Sequence, residues 1–211
     1  MIAVVDYGVG NLASVEKALQ RAGADAQITA NPGALRAAQG LVLPGVGAFG
    51  DGMAGLRARG LVAALEVALA AGRPLLGICL GMQLLFQESE EMGRHAGLGF
   101  LPGRVRRFAP GLKVPHIGWN QVHAVRPSPL LEGLPQDSYA YFVHSYYVEP
   151  ADAEMTLATT DYGGPFASVV GRQRLFGVQF HPEKSQDVGL ALLCNFVAMV
   201  GESGSDHLPG D

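Results

Sequence analysis

Short apolar runs alternate with amphipathic stretches along the first half of the chain. The apolar runs predict strands at residues 2–6, 25–29, 41–43 and 74–78, and the amphipathic stretches predict helices at 11–22, 61–71 and from 80 to about 90. This alternation predicts an α/β fold, in which a doubly wound, mostly parallel sheet is covered by helices on both faces. We therefore expect functional residues at the carboxyl ends of the strands.

The second half of the chain lacks this alternation and contains strand-like runs separated by turn signals. Strands are predicted at residues 104–108, 119–125, 139–148, 156–160, 167–170 and 175–180. We interpret them as antiparallel additions to the same sheet. A last helix is predicted at 187–200, so we expect residues 1–200 to form a single domain and residues 201–211 to form a flexible tail.

The amino-acid composition disfavours several classes of protein. The 211 residues are 48% hydrophobic and include 29 Gly and 13 Pro without a regular period, which indicates a globular chain. A net charge of −4 disfavours a nucleic-acid partner, because binding to phosphates requires an excess of basic residues. No apolar run is long enough to cross a membrane and the N-terminus has no secretory pattern, so we expect a cytoplasmic protein without membrane contact.

The segment Gly77-Ile78-Cys79-Leu80-Gly81 places a cysteine between glycines where a predicted strand meets a predicted helix. This G-x-nucleophile-x-G pattern is typical of a strained turn that exposes a nucleophile, because glycines lack the Cβ atoms that would clash. The N–H of Leu80 can then stabilise the oxyanion of a reacting carbonyl group. A buried core cysteine is the alternative. Core packing on an apolar helix face is our prediction for the other cysteine, Cys194.

A cysteine nucleophile needs a base, and the segment His181-Pro182-Glu183 offers one. It follows the predicted strand 175–180, and proline favours an extended conformation for the residue before it. An extended segment places His181 and Glu183 on the same side, so that Glu183 orients one ring nitrogen while the other faces the sulfur. The sequence thus predicts a triad of Cys79, His181 and Glu183. A surface His-Pro-Glu turn is the alternative.

A second glycine-rich turn, Pro44-Gly45-Val46-Gly47, follows the third predicted strand. In a doubly wound sheet it lies beside the Cys79 turn, and its glycines allow a peptide to present an N–H group to the same oxyanion. A dinucleotide site is the alternative, but its glycines belong after the first strand. The sequence has neither a phosphate-binding loop nor histidines at metal-ligand spacing, so we expect no cofactor and no metal.

Several segments together carry a resemblance to a known family. The turn at residues 44–47, the segment 77–83 (GICLGMQ) and the segment 177–183 (GVQFHPE) resemble class I (triad-type) glutamine amidotransferases in order and spacing. The segments 6–11 (DYGVGN), 115–120 (PHIGWN) and 182–185 (PEKS) resemble, within that superfamily, the glutaminase subunits of imidazole glycerol phosphate synthase, an enzyme of histidine biosynthesis. The resemblance covers nearly the whole chain and implies the flavodoxin-like fold of these amidotransferases.

By this resemblance the chain hydrolyses L-glutamine to L-glutamate and ammonia through a thioester on Cys79, with His181 as base and Glu183 orienting it. The resemblance and the turn geometry assign the oxyanion to backbone N–H groups of Val46, Gly47 and Leu80. The substrate-binding positions of the family fall on Gly45, Gln83, His144, Ser145 and Tyr146. Because glycines make a peptide flip inexpensive, we expect the isolated subunit to be nearly inactive.

Ammonia released in this way requires an acceptor, which the family supplies as a separate (β/α)8-barrel cyclase. The resemblance implies a 1:1 heterodimer with that cyclase, which forms imidazole glycerol phosphate and an aminoimidazole carboxamide ribonucleotide. Asn11, Trp119, Tyr141 and Lys184 match family positions at or near the subunit interface. The alternatives are a glutaminase of another synthase, a stand-alone cysteine γ-glutamyl hydrolase or peptidase, and a non-enzymatic redox sensor.

Overall fold

The computed structural model describes residues 1–202, and thirteen strands in this part of the chain form one sheet. In chain order the strands are β1 (Ile2–Val5), β2 (Ala26–Thr29), β3 (Gly40–Gly45), β4 (Leu75–Cys79), β5 (Phe86–Ser89), β6 (His95–Ala96), β7 (Leu101–Arg107), β8 (His116–Ala124), β9 (Ser138–His144), β10 (Tyr146–Pro150), β11 (Thr156–Asp161), β12 (Pro165–Arg172) and β13 (Leu175–Val178). The helices are α1 (Leu12–Arg21), α2 (Pro32–Ala37), α3 (Phe49–Ala58), α4 (Leu61–Ala70), α5 (Leu80–Leu84) and α6 (Gln186–Glu202). Short 3₁₀ turns lie at Pro129–Leu131, Ala153–Met155 and Pro182–Lys184.

The centre of the sheet is parallel. Strands β2, β1, β3, β4 and β13 lie side by side in this order, and each neighbouring pair runs in the same direction. Strand β12 pairs antiparallel with β13 and extends the sheet toward β10 and β7. Strands β11, β8 and β9 form a second antiparallel branch that starts at β12. The predicted α/β fold with antiparallel additions is confirmed.

Helices cover both faces of the parallel strands, as the sequence pattern predicts. On one face, α2, α3 and α4 pack through Leu35, Leu56 and Leu65. On the other face, α1 and α6 pack through Leu19 and Phe196. Successive side chains of a strand point to opposite faces, so the central strands contribute to both apolar layers and are buried along their length.

Two predicted elements have wrong boundaries because distant strands decide their conformation. The predicted helix from 80 to about 90 is too long: α5 ends at Leu84, and β5 follows and pairs with β6 and β7. The predicted strand 139–148 is interrupted at Ser145, because β9 pairs with β8 whereas β10 pairs with β7 and β12. In both segments the tertiary pairing overrides the local apolar pattern.

Helices α2 and α3 occur where the sequence pattern indicates no helix. Helix α2 begins after Asn31, whose side chain accepts a hydrogen bond of 2.8 Å from the N–H of Gly33. Helix α3 contains several glycines, which weaken its helical signal. They permit close packing, since a Cβ at Gly55 would lie 2.2 Å from the carbonyl oxygen of Tyr7.

The C-terminal part of the chain also differs from its prediction. Helix α6 continues through residues 201–202, which the sequence pattern assigns to the tail, and residues 203–211 lie outside the described part of the chain. Cys194 is exposed on α6, so its predicted packing in the core is wrong; Leu192, Leu193 and Phe196 form the buried face instead. Within residues 1–202, no helix is long and apolar enough to span a membrane.

Candidate active site

Strand β4 ends at Cys79, and α5 begins at the next residue. The backbone of Cys79 has φ 54° and ψ −110°, a strained conformation for a residue with a Cβ. Both flanking glycines are required by packing: a Cβ at Gly77 would lie 2.7 Å from a backbone nitrogen of α5, and one at Gly81 would lie 1.7 Å from a carbonyl oxygen of β3. Cys79 therefore occupies a tight turn from strand to helix, followed directly by the N–H group of Leu80.

The structure brings His181 and Glu183 together beyond the end of β13, which is the parallel neighbour of β4. Nδ1 of His181 lies 2.9 Å from Oε1 of Glu183, and these side chains are only 3% and 2% exposed. The predicted extended geometry is wrong for Glu183, because Pro182–Lys184 form a 3₁₀ turn that directs the carboxylate toward the ring. His181 itself is extended, as its position before a proline favours.

Hydrogen bonds to β9 hold this turn in place. The N–H of His181 donates to the carbonyl oxygen of Tyr141 over 2.9 Å, and the N–H of Tyr141 donates to Oγ of Ser185 over 3.0 Å. The Ser185 hydroxyl in turn donates to the carbonyl oxygen of His181 over 2.7 Å. The orientation of the imidazole ring therefore depends on the neighbouring strand as well as on Glu183.

The ring of His181 interacts with groups on both of its sides. Burial lowers its pKa, but interactions with Cys79 and with Glu183 outweigh burial and raise the pKa to about 10. Among residues 1–202, Nε2 of His181 has no nitrogen or oxygen hydrogen-bond partner, which leaves this atom available to the thiol. The arrangement is suited to transfer of the thiol proton to His181.

The glycine-rich turn at the end of β3 lies beside Cys79, because Gly45 is its register partner on the neighbouring strand. A Cβ at Gly45 would lie 2.0 Å from Oη of Tyr7, so this position requires glycine. The Tyr7 hydroxyl donates a hydrogen bond of 2.6 Å to the carbonyl oxygen of Pro44, and burial raises the pKa of Tyr7, which keeps this donor protonated. Gly47 has φ 102° and open space around it. Packing against Tyr7 therefore fixes the start of the turn at Gly45, whereas the space around Gly47 at its end is open.

A cavity of about 220 Å³ opens at Cys79. Its lining residues are Val46, Gly47, Cys79, Leu80, Gln83, Glu91, Pro115, Val143, His144, Ser145 and Tyr146. This set includes every predicted oxyanion and substrate-binding residue except Gly45. Four larger surface grooves, of about 670, 470, 370 and 290 Å³, have no cysteine or histidine in their linings. The cavity at Cys79 is therefore the candidate active site.

Two buried glutamine side chains connect the cavity to the sulfur. Nε2 of Gln83 donates to the carbonyl oxygen of Tyr146 over 3.0 Å and to Oε1 of Gln179 over 3.1 Å. Nε2 of Gln179 lies 3.6 Å from the sulfur of Cys79 and donates to it. The resemblance assigns Gln83 to the substrate and no role to Gln179, although Gln179 lies within the segment 177–183 that carries the resemblance.

His144 and His116 form a buried pair beside the cavity. Nδ1 of His144 donates to the carbonyl oxygen of Tyr146 over 2.8 Å, and its Nε2 lies 3.1 Å from Nδ1 of His116. Burial lowers the pKa of His144 to about 3 and also lowers the pKa of His116. Both rings are therefore neutral. Among residues 1–202, no group of three histidine, cysteine or acidic side chains is placed to hold a metal ion.

Glu91 is a cavity residue that the sequence analysis missed. Its Oε2 atom accepts a hydrogen bond of 2.6 Å from the N–H of Phe49 at the start of α3. Its carboxyl side chain is the acidic group in the lining of the cavity, to which Val46 and Gly47 also belong. The acidic run around residues 88–91 resembles the solvated side of a helix, which concealed this position in the sequence pattern.

Comparison with known proteins identifies the family. Residues 3–200 match the family model described as glutamine amidotransferase class-I. The chain belongs to the class I glutamine amidotransferase family. The imidazole glycerol phosphate synthase subunit HisH of Moorella thermoacetica is 54% identical over 204 residues, which cover 97% of this chain and 97% of that protein. HisH of Symbiobacterium thermophilum is 55% identical over 199 residues, which cover 94% of each.

Solved structures agree with this class I amidotransferase assignment at the level of the fold. The crystal structure of a glutamine amidotransferase superposes with a TM-score of 0.76 at 22% identity, covering 95% of this chain and 100% of that one. The glutaminase domain of Trypanosoma brucei CTPS, solved with bound acivicin, superposes with a TM-score of 0.71 at 21% identity, covering 95% and 93%. At these identities the likeness shows the shared fold alone.

Three of the four interface residues expected from the amidotransferase resemblance, Trp119, Tyr141 and Lys184, are brought near one another. The rings of Trp119 and Tyr141 meet edge to face at 6.0 Å, and Nζ of Lys184 lies 5.7 Å from the centroid of Tyr141. Trp119 is 46% exposed. Asn11 is exposed and follows Gly10, where a Cβ would lie 3.5 Å from the Cα of Gly45. An exposed aromatic and basic surface therefore borders the carboxyl end of the sheet, where the cavity also lies.

Proposed function

We propose that this chain is the glutaminase subunit of an imidazole glycerol phosphate synthase, an enzyme of histidine biosynthesis. The observation that carries the proposal is the buried His181–Glu183 pair beside a strained Cys79, in a chain 54% identical to a subunit of that synthase. The reaction is hydrolysis of L-glutamine to L-glutamate and ammonia. The alternatives, a glutaminase of another synthase or a stand-alone hydrolase, are not favoured by the names of these full-length relatives.

The first half of the reaction forms a thioester. His181 accepts the thiol proton at Nε2, and the sulfur of Cys79 attacks the side-chain amide carbon of glutamine. The N–H of Leu80 and one from Val46 or Gly47 stabilise the resulting oxyanion. The carbon–nitrogen bond then breaks, and His181 returns its proton to the leaving nitrogen, so that ammonia departs. Glu183 holds the ring and stabilises its positive charge throughout.

The second half hydrolyses the thioester. His181 takes a proton from a water molecule, and the resulting hydroxide attacks the thioester carbon. The same backbone N–H groups stabilise the second oxyanion. The carbon–sulfur bond breaks, L-glutamate leaves, and His181 restores the proton to the sulfur. One water is consumed for each glutamine, and the enzyme returns to its starting state.

The cavity supplies groups for the charged end of glutamine. Glu91 is the acidic residue in the cavity lining and is suited to bind the α-ammonium group. Gln83 has its Nε2 atom engaged, so its carbonyl oxygen is the part of the amide left to face the substrate. The backbone of Ser145 and Tyr146, held by His144, forms the remaining wall. Gly45 shapes the adjacent turn.

We further propose that ammonia passes to a (β/α)8-barrel cyclase bound at the surface of Asn11, Trp119, Tyr141 and Lys184, in a 1:1 heterodimer. The exposure of Trp119 and the position of Lys184 over Tyr141 support a docking role for this surface. Residues 1–200 then form one glutaminase domain. A cytoplasmic location, no nucleic-acid or membrane partner, and no cofactor complete the proposal.

The test is glutamate release from L-glutamine by the protein alone, with the cyclase, and with cyclase plus its ribulosyl substrate. Cys79→Ala provides the blank. Release that requires the cyclase and its ligand supports both the activity and the partner, and it also agrees with a Val46–Gly47 peptide that must turn toward the oxyanion. Absence of release in every combination, with a folded wild type, would exclude the proposed synthase.

A further inference from the structure

The orientation of the Gln179 amide follows from its neighbours. The carbonyl oxygen of Tyr146 can only accept a hydrogen bond, so the Gln83 atom facing it must be the amide nitrogen. That nitrogen also faces Gln179, which must therefore present its oxygen to Gln83. The amide nitrogen of Gln179 is thereby directed at the sulfur of Cys79, 3.6 Å away.

The histidine pair independently fixes the same carbonyl group. Nδ1 of His144 must be protonated to donate to the oxygen of Tyr146, so its Nε2 accepts from Nδ1 of His116. Nε2 of His116 then accepts from Nδ2 of Asn120, which also donates to the carbonyl oxygen of Asp161 over 2.9 Å. Donor and acceptor roles are thus consistent along the whole chain of hydrogen bonds, from the carbonyl oxygen of Tyr146 to that of Asp161.

Gln179 has no task in the substrate cavity. Its side chain is fully buried and is absent from the cavity lining. Both atoms of its amide are used by the two hydrogen bonds described above, to Gln83 and to Cys79. On its other side the thiol of Cys79 donates weakly to the carbonyl oxygen of Val143 over 3.8 Å. A carbonyl group suits the protonated sulfur, and the N–H of Gln179 suits the ionised sulfur.

We propose that Gln179 is a further catalytic residue, whose Nε2–H group donates a hydrogen bond to the negatively charged sulfur of Cys79, and that Gln83 is the positioning residue that holds this donor. The donor increases the fraction of nucleophile that is ionised in the empty site. It also favours the return of negative charge to the sulfur when the thioester carbon–sulfur bond breaks.

Other titratable groups also lie near the sulfur, so the test must isolate the contribution of Gln179. From the elements packed around Cys79, these groups are Tyr7 after β1, His144 at the end of β9, His181 and Glu183 beyond β13, and Glu91 across the cavity. None of them forms a hydrogen bond with the Gln179 side chain within residues 1–202. Replacing Gln179 with methionine therefore removes the donor to the sulfur, together with the acceptor for Gln83, at nearly constant side-chain volume.

The experiment measures alkylation of Cys79 by iodoacetamide as a function of pH, in a Cys194→Ser background because Cys194 is exposed. We expect Gln179→Met to alkylate about tenfold more slowly at neutral pH, as for loss of a hydrogen bond to a charged group, and at the same rate at alkaline pH. An unchanged rate at neutral pH would overturn the proposal. A rate reduced by the same factor at every pH would also overturn it, because restricted access would explain that result.

Two further variants keep the test decisive. Gln83→Met leaves Gln179 in place but frees its amide to rotate, so we expect a smaller loss at neutral pH, of about threefold. If Gln179→Met fails to fold, as judged by circular dichroism, an unchanged rate in Gln83→Met overturns the proposal. Gln27→Met is the matched control, since Gln27 is exposed on β2 and its side chain donates a hydrogen bond to Asp25, away from Cys79. Its alkylation rate should equal that of the background.

A second readout rests on the proposed function. In the complex with the cyclase, Gln179→Met should lower kcat for glutamine about tenfold while KM stays within twofold, because Gln179 does not line the cavity. A raised KM with unchanged kcat would contradict the assigned role. Absence of glutaminase activity in the wild type would instead exclude the proposed function and leave the alkylation test valid.

Discussion

His181 and His144 are both buried and both lie near Cys79, yet they have opposite charge preferences. His181 contacts the carboxylate of Glu183, and its interactions with Cys79 and Glu183 overcome burial to raise its pKa to about 10. His144 contacts a backbone carbonyl group and the neutral ring of His116, so burial dominates and lowers its pKa to about 3. The comparison shows that an ionised partner, rather than burial, makes a buried imidazole a proton carrier.

The difference in pKa also gives the two histidines different roles at the same cavity. A histidine that gains and loses protons must have an oriented ring and a stabilised positive charge, and Glu183 provides both for His181. A histidine that remains neutral can act as a fixed donor and acceptor, and His144 uses one nitrogen in each way to hold the Tyr146 carbonyl group. Changing the partner of either ring should therefore change its role.

The largest expected effect comes from removing the carboxylate partner. Glu183→Gln keeps the shape of the side chain but removes its negative charge, so the pKa of His181 falls and its positively charged form is no longer stabilised. We expect kcat for glutamine to fall about a thousandfold or more. Glutamate release by the complex with cyclase measures this effect, and Glu66→Gln on the exposed side of α4 is the control. A loss below tenfold would contradict the role of Glu183.

The second prediction concerns His144 and acid stability. Because its folded-state pKa lies below the usual 6.5, the unfolded chain binds the proton first, and stability falls as the pH drops from about 6.5 toward 3. His144→Asn keeps a donor for Tyr146 but cannot titrate. Between pH 7 and pH 5, we expect the variant to lose about 2 kcal/mol less unfolding free energy than the wild type, measured by urea unfolding.

An equal loss in both proteins would contradict the neutral state of His144.

The pKa shift of His181 has the opposite sign and therefore the opposite effect on stability. Its folded-state pKa is raised, so its contribution to stability is fully present below about pH 6.5 and is lost as the pH rises through about 10. The alkaline limb of the stability curve should therefore flatten in Glu183→Gln, because this substitution removes one cause of the raised pKa.

The third prediction concerns Glu91, the second carboxylate near Cys79. Glu91 lines the cavity and accepts from a backbone N–H, whereas Glu183 lies behind a histidine. Loss of its charge should therefore affect substrate binding rather than proton transfer. We expect Glu91→Gln to raise KM for glutamine about tenfold with kcat reduced less than threefold. Steady-state kinetics of the complex decide this, and an unchanged KM would remove Glu91 from the binding site.

The smallest expected effect is at Lys184, which is the sequence neighbour of Glu183 but is exposed. Its ammonium group lies over the ring of Tyr141 and not at the cavity, so its charge should matter for the partner alone. We expect Lys184→Glu to weaken cyclase binding about fivefold, measured by titration calorimetry, without a change in thermal stability. Arg36→Glu on α2 is the matched charge reversal, and equal affinities of the two variants would exclude Lys184 from the interface.

The sequence predicts those parts of the site that depend on local backbone demands. Glycines flank Cys79 because backbone atoms of α5 and β3 occupy the space that side chains would need, and this demand is visible as a short motif. The pairing of His181 with Glu183 was predicted as well, although through the wrong backbone geometry. An i, i+2 spacing is compatible with both an extended segment and a 3₁₀ turn, so the spacing alone could not distinguish them.

Residues that act through distant contacts could not be predicted in the same way. Gln179 acquires its orientation from Gln83 and Tyr146, which lie far away in the sequence. Glu91 reaches the cavity because β5 replaces the second half of the predicted helix and redirects the chain after Leu84. The strand-pairing partners that cause these arrangements leave no periodic signal in the segments themselves.

Ser145 is the one residue between β9 and β10, and these strands belong to different branches of the sheet. A connection of one residue cannot change its length without moving one of the two strands. An inserted residue could not bulge outward as in a surface loop, because one of the two strands would shift its register and exchange its inward and outward faces. Residues 144–146 should therefore be among the positions of this chain that tolerate length changes least, although they are not within any helix or long turn.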